Sequence, residues 1–256
     1  MLLAVDVGNS HTVIGVFNGT DLARQWRIST APKRTADELA LLFGGLMQFE
    51  NLSFSRNVHG VVICSVVPLV TERLREMTGR YFHYPPVVVE PGTKTGIPIK
   101  IDNPREVGAD RLVNALAAFE TFGGPGIVVD FGTATSFDVF SAKGEFIGGA
   151  IAPGVQTSMD ALSARSAKLG TVELLEPRNA IGRNTAEAMQ SGAVYGFAGQ
   201  VDRIVEMISA QLGVPPPVVV ATGGMASAIV RQCRSIDHHD PWLTLKGLRV
   251  VWERNA

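Results

Sequence analysis

The chain has 256 residues, with 23 Lys and Arg against 24 Asp and Glu, so its formal net charge at neutral pH is −1. This balance argues against a nucleic-acid-binding protein, because such proteins carry a basic surplus that neutralises phosphates. Hydrophobic residues at 46% and charged residues at 18% exclude a disordered chain and predict a large core. Two cysteines are too few for a disulfide framework. An N-terminus without a charged leader and apolar runs of only strand length predict a cytoplasmic protein that does not interact with a membrane.

The first hundred residues predict strands followed by alternating helices and strands. Apolar runs at 2–7 and 12–17, with turn residues between them and Asn18-Gly19 after them, are typical of antiparallel strands. Thr35 and Glu38 have the spacing of a capping box, which predicts a helix to about Met47. A strand at 58–67, a helix at 69–80 and a strand at 85–90 follow.

The rest of the chain predicts a second, similar series. A helix from Pro104 to about Phe122 leads to a strand at 126–130, a turn at 131–136 and two further strand-like segments. A long helix from Asn184 to about Leu212, a strand at 218–222 and a short helix at 225–232 complete the series. The long helix carries Gly192, Gly196 and Gly199 near one face. Because glycine destabilises a helix, we expect these positions to pack closely against another backbone.

A short internal repeat relates the two series. VDVGNSHTVIGVF at 5–17 aligns with VDFGTATSFDVF at 129–140, so that Asp6 matches Asp130 and Gly8 matches Gly132. The repeat predicts two related halves, which we place at 1–115 and 116–256.

The repeated turns have the chemistry of phosphate sites. A glycine lets backbone N–H groups approach an anion, hydroxyl and amide side chains add donors, and an aspartate at the strand end can hold Mg²⁺ directly or through water. Asp6 through Thr12 alone could equally form an ordinary Asx-type hairpin. With the second turn, Asp130 through Thr135, the pattern predicts a two-part phosphate clamp across a cleft between the halves. Thr222-Gly223-Gly224 suits a flat ligand or a plain strand-to-helix turn.

Six segments follow one another along the chain: DVGNSHT at 6–12, SVVP at 65–68, NPREVGADR at 103–111, DFGTATSFD at 130–138, GGAIAPG at 148–154 and ATGG at 221–224. In this order they resemble the type III pantothenate kinases, which belong to the superfamily of acetate and sugar kinases, actin and heat-shock chaperone ATPases. The resemblance implies an α/β, actin-like ATPase fold of two duplicated ribonuclease H-like halves, mixed sheets flanked by helices, around an interdomain cleft. It implies ATP-dependent phosphorylation of pantothenate to 4′-phosphopantothenate, for coenzyme A synthesis. Two positions depart from the family pattern: Ser10 replaces a common Thr, and Ile101 replaces a common Tyr.

The resemblance also implies roles for individual residues. Asp110 would be the general base for the pantothenate hydroxyl, although on sequence alone it could simply stabilise a helix N-terminus. Asp130 would bind a monovalent cation, K⁺ or NH₄⁺, and Asp6 would lie by the Mg²⁺ that accompanies ATP. The family also implies a homodimer that binds ATP and pantothenate. The expected ATP-binding residues are Asp6, Val7, Gly8, Asn9, Ser10, His11, Thr12, Val13 and Thr133, and the expected substrate-binding residues are Gly108, Ala109, Asp110, Arg111 and Thr185.

Two other functions fit the motifs. One is a related kinase or phosphatase of the superfamily that acts on another hydroxyl or on polyphosphate. The other is a non-catalytic nucleotide-binding regulatory protein, like relatives described as transcription accessory factors. The segment 237–240 (DHHD) looks like a metal site, but we interpret it as a plain loop, and we interpret Cys64 as an inert residue of a buried strand.

Overall fold

The structure, a computed structural model, describes residues 1–82, 84–166, 169–213 and 217–256. Two short 3₁₀ helices, Pro104–Glu106 and Val230–Gln232, accompany the main elements. The strands are β1 (Leu2–Val7), β2 (His11–Asn18), β3 (Asp21–Ser29), β4 (Gly60–Ser65), β5 (Val87–Val88), β6 (Gly126–Phe131), β7 (Ala134–Phe140), β8 (Phe146–Pro153), β9 (Val218–Thr222) and β10 (His238–His239). The helices are α1 (Ala36–Phe49), α2 (Phe54–Asn57), α3 (Pro68–Tyr81), α4 (Ala109–Phe122), α5 (Val155–Arg165), α6 (Thr185–Leu212), α7 (Ala226–Ile229) and α8 (Leu243–Asn255).

The chain divides into two compact units. Unit 1 comprises Met1–Ile97, Asn103–Ala117 and Leu243–Ala256, and unit 2 comprises Pro98–Asp102 and Ala118–Trp242. This division differs from the expected halves at 115/116 in three ways. The boundary within α4 falls after Ala117. The C-terminal helix α8 belongs to unit 1, and five residues before α4 belong to unit 2.

Unit 1 contains a five-stranded mixed sheet in the order β3-β2-β1-β4-β5. β1, β2 and β3 pair antiparallel, as predicted, and β4 and β5 add parallel strands on the other side of β1. β1 and β4 read as nearly continuous apolar runs because both their faces are covered, which is usual for central parallel strands.

Helices cover the two faces of this sheet. On one face, α1 and α3 bury Phe43 and Leu74 in a cluster with Leu3 of β1. The predicted capping box starts α1: the Thr35 hydroxyl accepts the Glu38 N–H at 3.2 Å, and the Glu38 carboxylate accepts the Thr35 N–H at 2.7 Å. Two bonds thus satisfy donors that the first helical turn leaves unpaired, which confirms the prediction.

The opposite face of the same sheet is covered by α8, for which the sequence analysis assigned no element. Two glycines make room for it. A Cβ on Gly15 would lie 2.7 Å from Leu245 Cδ1, and a Cβ on Gly60 would lie 2.2 Å from the Trp252 ring. Any side chain at Gly60 would displace the indole ring.

Unit 2 contains a second mixed sheet with the equivalent order, β8-β7-β6-β9-β10. β6, β7 and β8 are antiparallel, and β9 and β10 are parallel additions. Ile127, Val129 and Phe131 of β6 face a core to which α6 contributes Val194 and Val201. The matching strand order and directions confirm the predicted duplication of an α/β unit.

One predicted helix is interrupted. The segment 104–122 was expected to be continuous, but Pro104–Glu106 forms a single 3₁₀ turn, Val107 is extended with φ −76° and ψ 124°, and α4 begins only at Ala109. The Asn103 side chain caps the 3₁₀ turn, so it stabilises an end rather than a long helix. The interruption places Asp110 in the first turn of α4.

Across the residues that the structure describes, no helix is long and apolar enough to cross a bilayer.

Candidate functional site

The first predicted phosphate turn joins β1 to β2. It is closed by the Gly8 N–H, which donates to the His11 carbonyl at 2.9 Å. Asn9, Ser10 and His11 are exposed, whereas the Thr12 side chain is buried. The turn therefore presents three polar side chains and its outer backbone to a ligand.

Asp6 is the penultimate residue of β1. It is half-buried, and it pairs with Val13 on β2 and with Cys64 on β4. Because side chains alternate along strands, Asp6 and Cys64 project from the sheet face opposite the core that contains Val5 and Ile63.

Asp110, in the first turn of α4, acts electrostatically on the same residue, Cys64. Burial, with the nearby carboxylates of Asp6 and Asp110, raises the pKa of the Cys64 thiol well above its usual range. The fully buried Cys64 is therefore a neutral group that both carboxylates approach. The predicted Mg²⁺-side aspartate and the predicted general base therefore both act electrostatically on Cys64 within unit 1.

Gly108 permits the conformation of Asp110. A Cβ on Gly108 would lie 2.4 Å from Asp110 Oδ1, the atom that also accepts the Arg111 N–H at 2.9 Å. Gly108, Ala109, Asp110 and Arg111 are all half-buried, so the predicted substrate segment is only partly open to solvent.

The second phosphate turn, in unit 2, is one residue shorter than the first. The Gly132 N–H donates to the Ala134 carbonyl at 2.9 Å, and Thr133 is exposed. The Thr133 carbonyl accepts the Gly154 N–H at 3.1 Å and the Thr157 hydroxyl at 2.7 Å. The start of α5 therefore fixes this turn, a contact that the sequence analysis missed.

Asp130 lies beside the glycine-rich turn after β9. Gly223 has φ +97°, and a Cβ there would lie 2.5 Å from Asp130 Oδ1 and 2.6 Å from the Phe131 nitrogen. Only glycine suits this position. The predicted second and third motifs therefore meet within unit 2 at the Asp130 carboxylate.

Thr185 is the first residue of α6 and is exposed. The helix cap is its neighbour Asn184, whose side chain accepts the Glu187 N–H at 2.9 Å. The Glu187 carboxylate accepts the Arg183 N–H at 2.9 Å, one residue earlier than a capping box requires. The Thr185 side chain is therefore not needed as the cap.

The segment 237–240 makes structural contacts. Asp237 accepts the Val219 N–H at 2.8 Å, His238 stacks on Phe122 with ring centroids 4.3 Å apart, and Asp240 accepts the Trp242 N–H at 3.0 Å. In the parts of the chain that the structure describes, no three His, Cys, Asp or Glu side chains converge as a metal site.

Comparisons with known proteins identify the family. The family model for type III pantothenate kinase matches residues 2–207. The chain is 56% identical to a type III pantothenate kinase of Streptomyces avermitilis, over 100% of this chain and 98% of that protein. It is 53% identical to the corresponding protein of Thermobifida fusca, with full coverage of both.

Solved structures share the fold at low identity. A protein described as a Baf family transcriptional activator from Campylobacter jejuni has a TM-score of 0.61 at 18% identity, covering 99% of this chain and 98% of that one. A ROK hexokinase from Thermus thermophilus has a TM-score of 0.52 at 14% identity, covering 100% and 99%. At sequence identities of 18% and 14%, these structural similarities establish the fold alone. The match over the whole chain to the Streptomyces and Thermobifida proteins goes further: the chain belongs to the type III pantothenate kinase family.

Proposed function

We propose that this protein transfers the γ-phosphoryl group of ATP to the primary hydroxyl of pantothenate, giving 4′-phosphopantothenate for coenzyme A synthesis. The observation that carries this proposal is its similarity over the full chain to proteins named type III pantothenate kinase. The electrostatic effect of both Asp6 and Asp110 on the buried Cys64 supports it, because such a kinase needs a metal-side carboxylate and a base near the same reacting group. Since ATP is the phosphoryl donor, we also propose that the reaction takes place in the cytoplasm.

The first turn is proposed to bind the ATP phosphates. The exposed Asn9, Ser10 and His11 supply side-chain donors, and Gly8 allows close approach of the backbone. Val7, Thr12 and Val13 flank the turn and shape it from the two strands. In unit 2, the exposed Thr133 is proposed to contact ATP, with its carbonyl already satisfied by α5.

Asp110 is proposed to accept the proton of the pantothenate hydroxyl. In a loose phosphoryl-transfer transition state, the nucleophile needs orientation more than early deprotonation, so a carboxylate is an adequate base. Arg111 is proposed to bind the pantothenate carboxylate, since a guanidinium can donate two parallel hydrogen bonds. Gly108, Ala109 and Thr185 complete the proposed substrate-binding set.

Phosphoryl transfer in this family needs a divalent metal, and we propose Mg²⁺. Mg²⁺ prefers oxygen ligands and binds through one or two carboxylates together with substrate phosphates. Asp6, half-buried at the strand end beside the phosphate turn, fits that requirement, either as a ligand or through a water molecule. The metal would neutralise charge on the phosphates.

A monovalent cation, K⁺ or NH₄⁺, is proposed to bind at Asp130. An ideal Cβ at position 223 would lie 2.5 Å from Asp130 Oδ1, so the glycine keeps a side chain from crowding this carboxylate. A cation there would offset the repulsion between Asp130 and a polyphosphate.

We propose that the protein is a homodimer that pairs through α6. Gly192, Gly196 and Gly199 are exposed, and apart from adjacent residues and the backbone of α6 itself, no described atom lies within 4 Å of an ideal Cβ on any of them. The close packing expected of these glycines is therefore not provided by the described part of the chain itself. A second copy of α6 would supply it.

The test is an ADP-release assay with Mg²⁺-ATP and, separately, pantothenate, glucose, mannose or inorganic polyphosphate, each in potassium and in sodium buffer. We expect turnover with pantothenate alone, and faster turnover in potassium. Turnover with a sugar instead would favour a related kinase of the superfamily. ATP binding without turnover on any acceptor would favour a nucleotide-binding regulator.

A further inference from the structure

Thr30, the residue directly after β3, makes three hydrogen bonds to the first phosphate turn. Its hydroxyl lies 2.8 Å from the Gly8 carbonyl oxygen and 2.9 Å from Thr12 Oγ1. Its backbone N–H donates to the Ser10 carbonyl at 3.0 Å. One side chain and one amide thus connect the end of the third strand to both sides of the turn.

The direction of these hydrogen bonds can be assigned. A carbonyl oxygen only accepts, so the single hydroxyl proton of Thr30 is donated to Gly8. In the contact between the two threonines, Thr12 must then be the donor and Thr30 the acceptor. The Thr12 proton is consequently committed inside the protein, and the buried Thr12 hydroxyl has no proton left for a phosphate oxygen.

The second turn shows what happens when this residue lacks a side chain. Gly154 occupies the equivalent place directly after β8, and its N–H bonds the Thr133 carbonyl as that of Thr30 bonds Ser10. A side chain is excluded there, because a Cβ on Gly154 would lie 2.3 Å from the Thr133 oxygen. Thr135, the counterpart of Thr12 in strand register, is fully buried, and its hydroxyl has no hydrogen-bond partner among the described residues.

We propose that Thr30 is a positioning residue for ATP binding, acting through the Thr12–Thr30–Gly8 hydroxyl chain; the proposal rests on the proposed function of the first turn. The chain holds the Gly8 carbonyl oxygen on a hydrogen-bond donor, where it does not face the negative phosphates. The N–H groups and side chains of Asn9 to His11 keep the outward position that an anion needs. Thr12 thereby belongs to the support of the turn and not to its ligand contacts.

The test compares Thr30→Val, which keeps the shape but loses the hydroxyl, with Thr30→Ser, which keeps the hydroxyl. Thr78→Val is the matched control, since the buried Thr78 hydroxyl donates to the Arg75 carbonyl at 2.9 Å in a helix away from the turn. Steady-state kinetics give KM for ATP and for pantothenate. Hydrogen exchange of peptides covering residues 6–13, without nucleotide, reports on the turn itself.

For Thr30→Val we expect KM for ATP to rise about three- to tenfold, the range for one or two lost hydrogen bonds. KM for pantothenate should stay within about twofold, and exchange over residues 6–13 should accelerate. Thr30→Ser should restore all three properties. Thr78→Val should lower the melting temperature without raising KM for ATP.

Three results would overturn the inference. KM for ATP could be unchanged in Thr30→Val, it could rise as much in Thr30→Ser as in Thr30→Val, or it could rise as much in Thr78→Val. Failure of the proposed function of the first turn, which is to bind ATP, looks different. The wild-type protein would then not bind ATP at all. Hydrogen exchange over residues 6–13 would still differ between Thr30→Val and Thr30→Ser, because Thr30 would support the turn without any role in phosphate binding.

Discussion

Asp6 and Cys64 are neighbours across two parallel strands and project from the same face of the sheet of unit 1. Adjacent strands lie about 4.8 Å apart, so the fully buried thiol is within contact range of the carboxylate. Burial, then Asp6 and Asp110, raises the pKa of the thiol, which stays protonated at neutral pH. Cys64 therefore fills the space beside two carboxylates without adding a third negative charge.

This arrangement predicts a pH dependence of stability. In the unfolded chain the Cys64 thiol titrates near pH 8.5, whereas its pKa in the folded protein is raised. The folded state thus keeps a proton that the unfolded state loses. The contribution of this thiol to the free energy of unfolding is therefore complete below about pH 8.5 and is lost as the pH rises. The free energy of unfolding should fall by up to about 1.4 kcal/mol per pH unit above that point because of this one thiol.

Urea unfolding of the wild-type protein and of Cys64→Ala at pH 7.5, 8.5 and 9.5 measures that slope. Cys64→Ala should lose less stability with rising pH than the wild type does. Cys233→Ala should also reduce the pH dependence, because burial and then Asp202 raise the pKa of Cys233 to about 12. Parallel curves for the wild type and Cys64→Ala would disprove the assignment.

Gly223→Ala should destabilise unit 2 and weaken any function of Asp130. The substitution adds a Cβ 2.5 Å from Asp130 Oδ1 at a positive φ of +97°. Gly92→Ala is a matched control, because Gly92 has φ +103° but no described atom within 4 Å of a Cβ. Both should cost about 1 to 3 kcal/mol of backbone strain, measured by thermal unfolding.

Only Gly223→Ala should also reduce the response of the rate to potassium. If the two variants respond to potassium alike, Gly223 does not shape the cation site.

The contrast between Thr35 and Thr30 shows which contacts a sequence can reveal. Thr35 and Glu38 are three residues apart, so the capping box depends only on local helix geometry, and it was predicted correctly. Thr30, directly after β3, bonds Gly8 and Thr12, and these contacts exist only once the registers of β1, β2 and β3 are set. No short motif records it.

The same distinction explains the elements that were missed. α8 packs on unit 1 through pairs such as Leu245 with Gly15, which are more than two hundred residues apart in the chain. The interruption before α4 could not be predicted from the sequence, because Pro104 is a normal first residue of a helix. The repeat at Asp6 and Asp130 could be predicted from the sequence because, in each half, the strand, its aspartate and the glycine of the turn follow one another directly along the chain.

Light scattering at micromolar concentration should give a dimer mass for the wild-type protein. Gly196→Arg should shift it to a monomer, because a long charged side chain would replace the open glycine surface of α6. Replacing glycine within a helix raises helix propensity, so loss of the dimer would not come from a weaker helix. Gly79→Arg on α3 is the control, since Gly79 is also exposed with open space around its Cβ. A monomeric wild type would rule out the proposed dimer.

Asp110→Asn is the sharpest test of the proposed chemistry. Asparagine keeps the shape of the side chain and an oxygen that can accept the Arg111 N–H, so the start of α4 should fold as before. It cannot take up the proton of the hydroxyl, and kcat should fall by roughly 10²- to 10⁴-fold, the range for a positioned general base. ATP binding, measured by calorimetry, should be nearly unchanged.

Two further variants separate base catalysis from other losses. Arg111→Ala should chiefly raise KM for pantothenate, because it removes a contact made equally in the ground and transition states. Asp37→Asn, at an exposed position of α1, should leave kcat unchanged although Asp37 bonds Tyr81 and Arg80. If Asp110→Asn retains nearly the wild-type kcat and binds pantothenate normally, Asp110 is not the base. Asp6, the other carboxylate beside Cys64, then becomes the residue to test, because it is the remaining proton acceptor placed there by the fold.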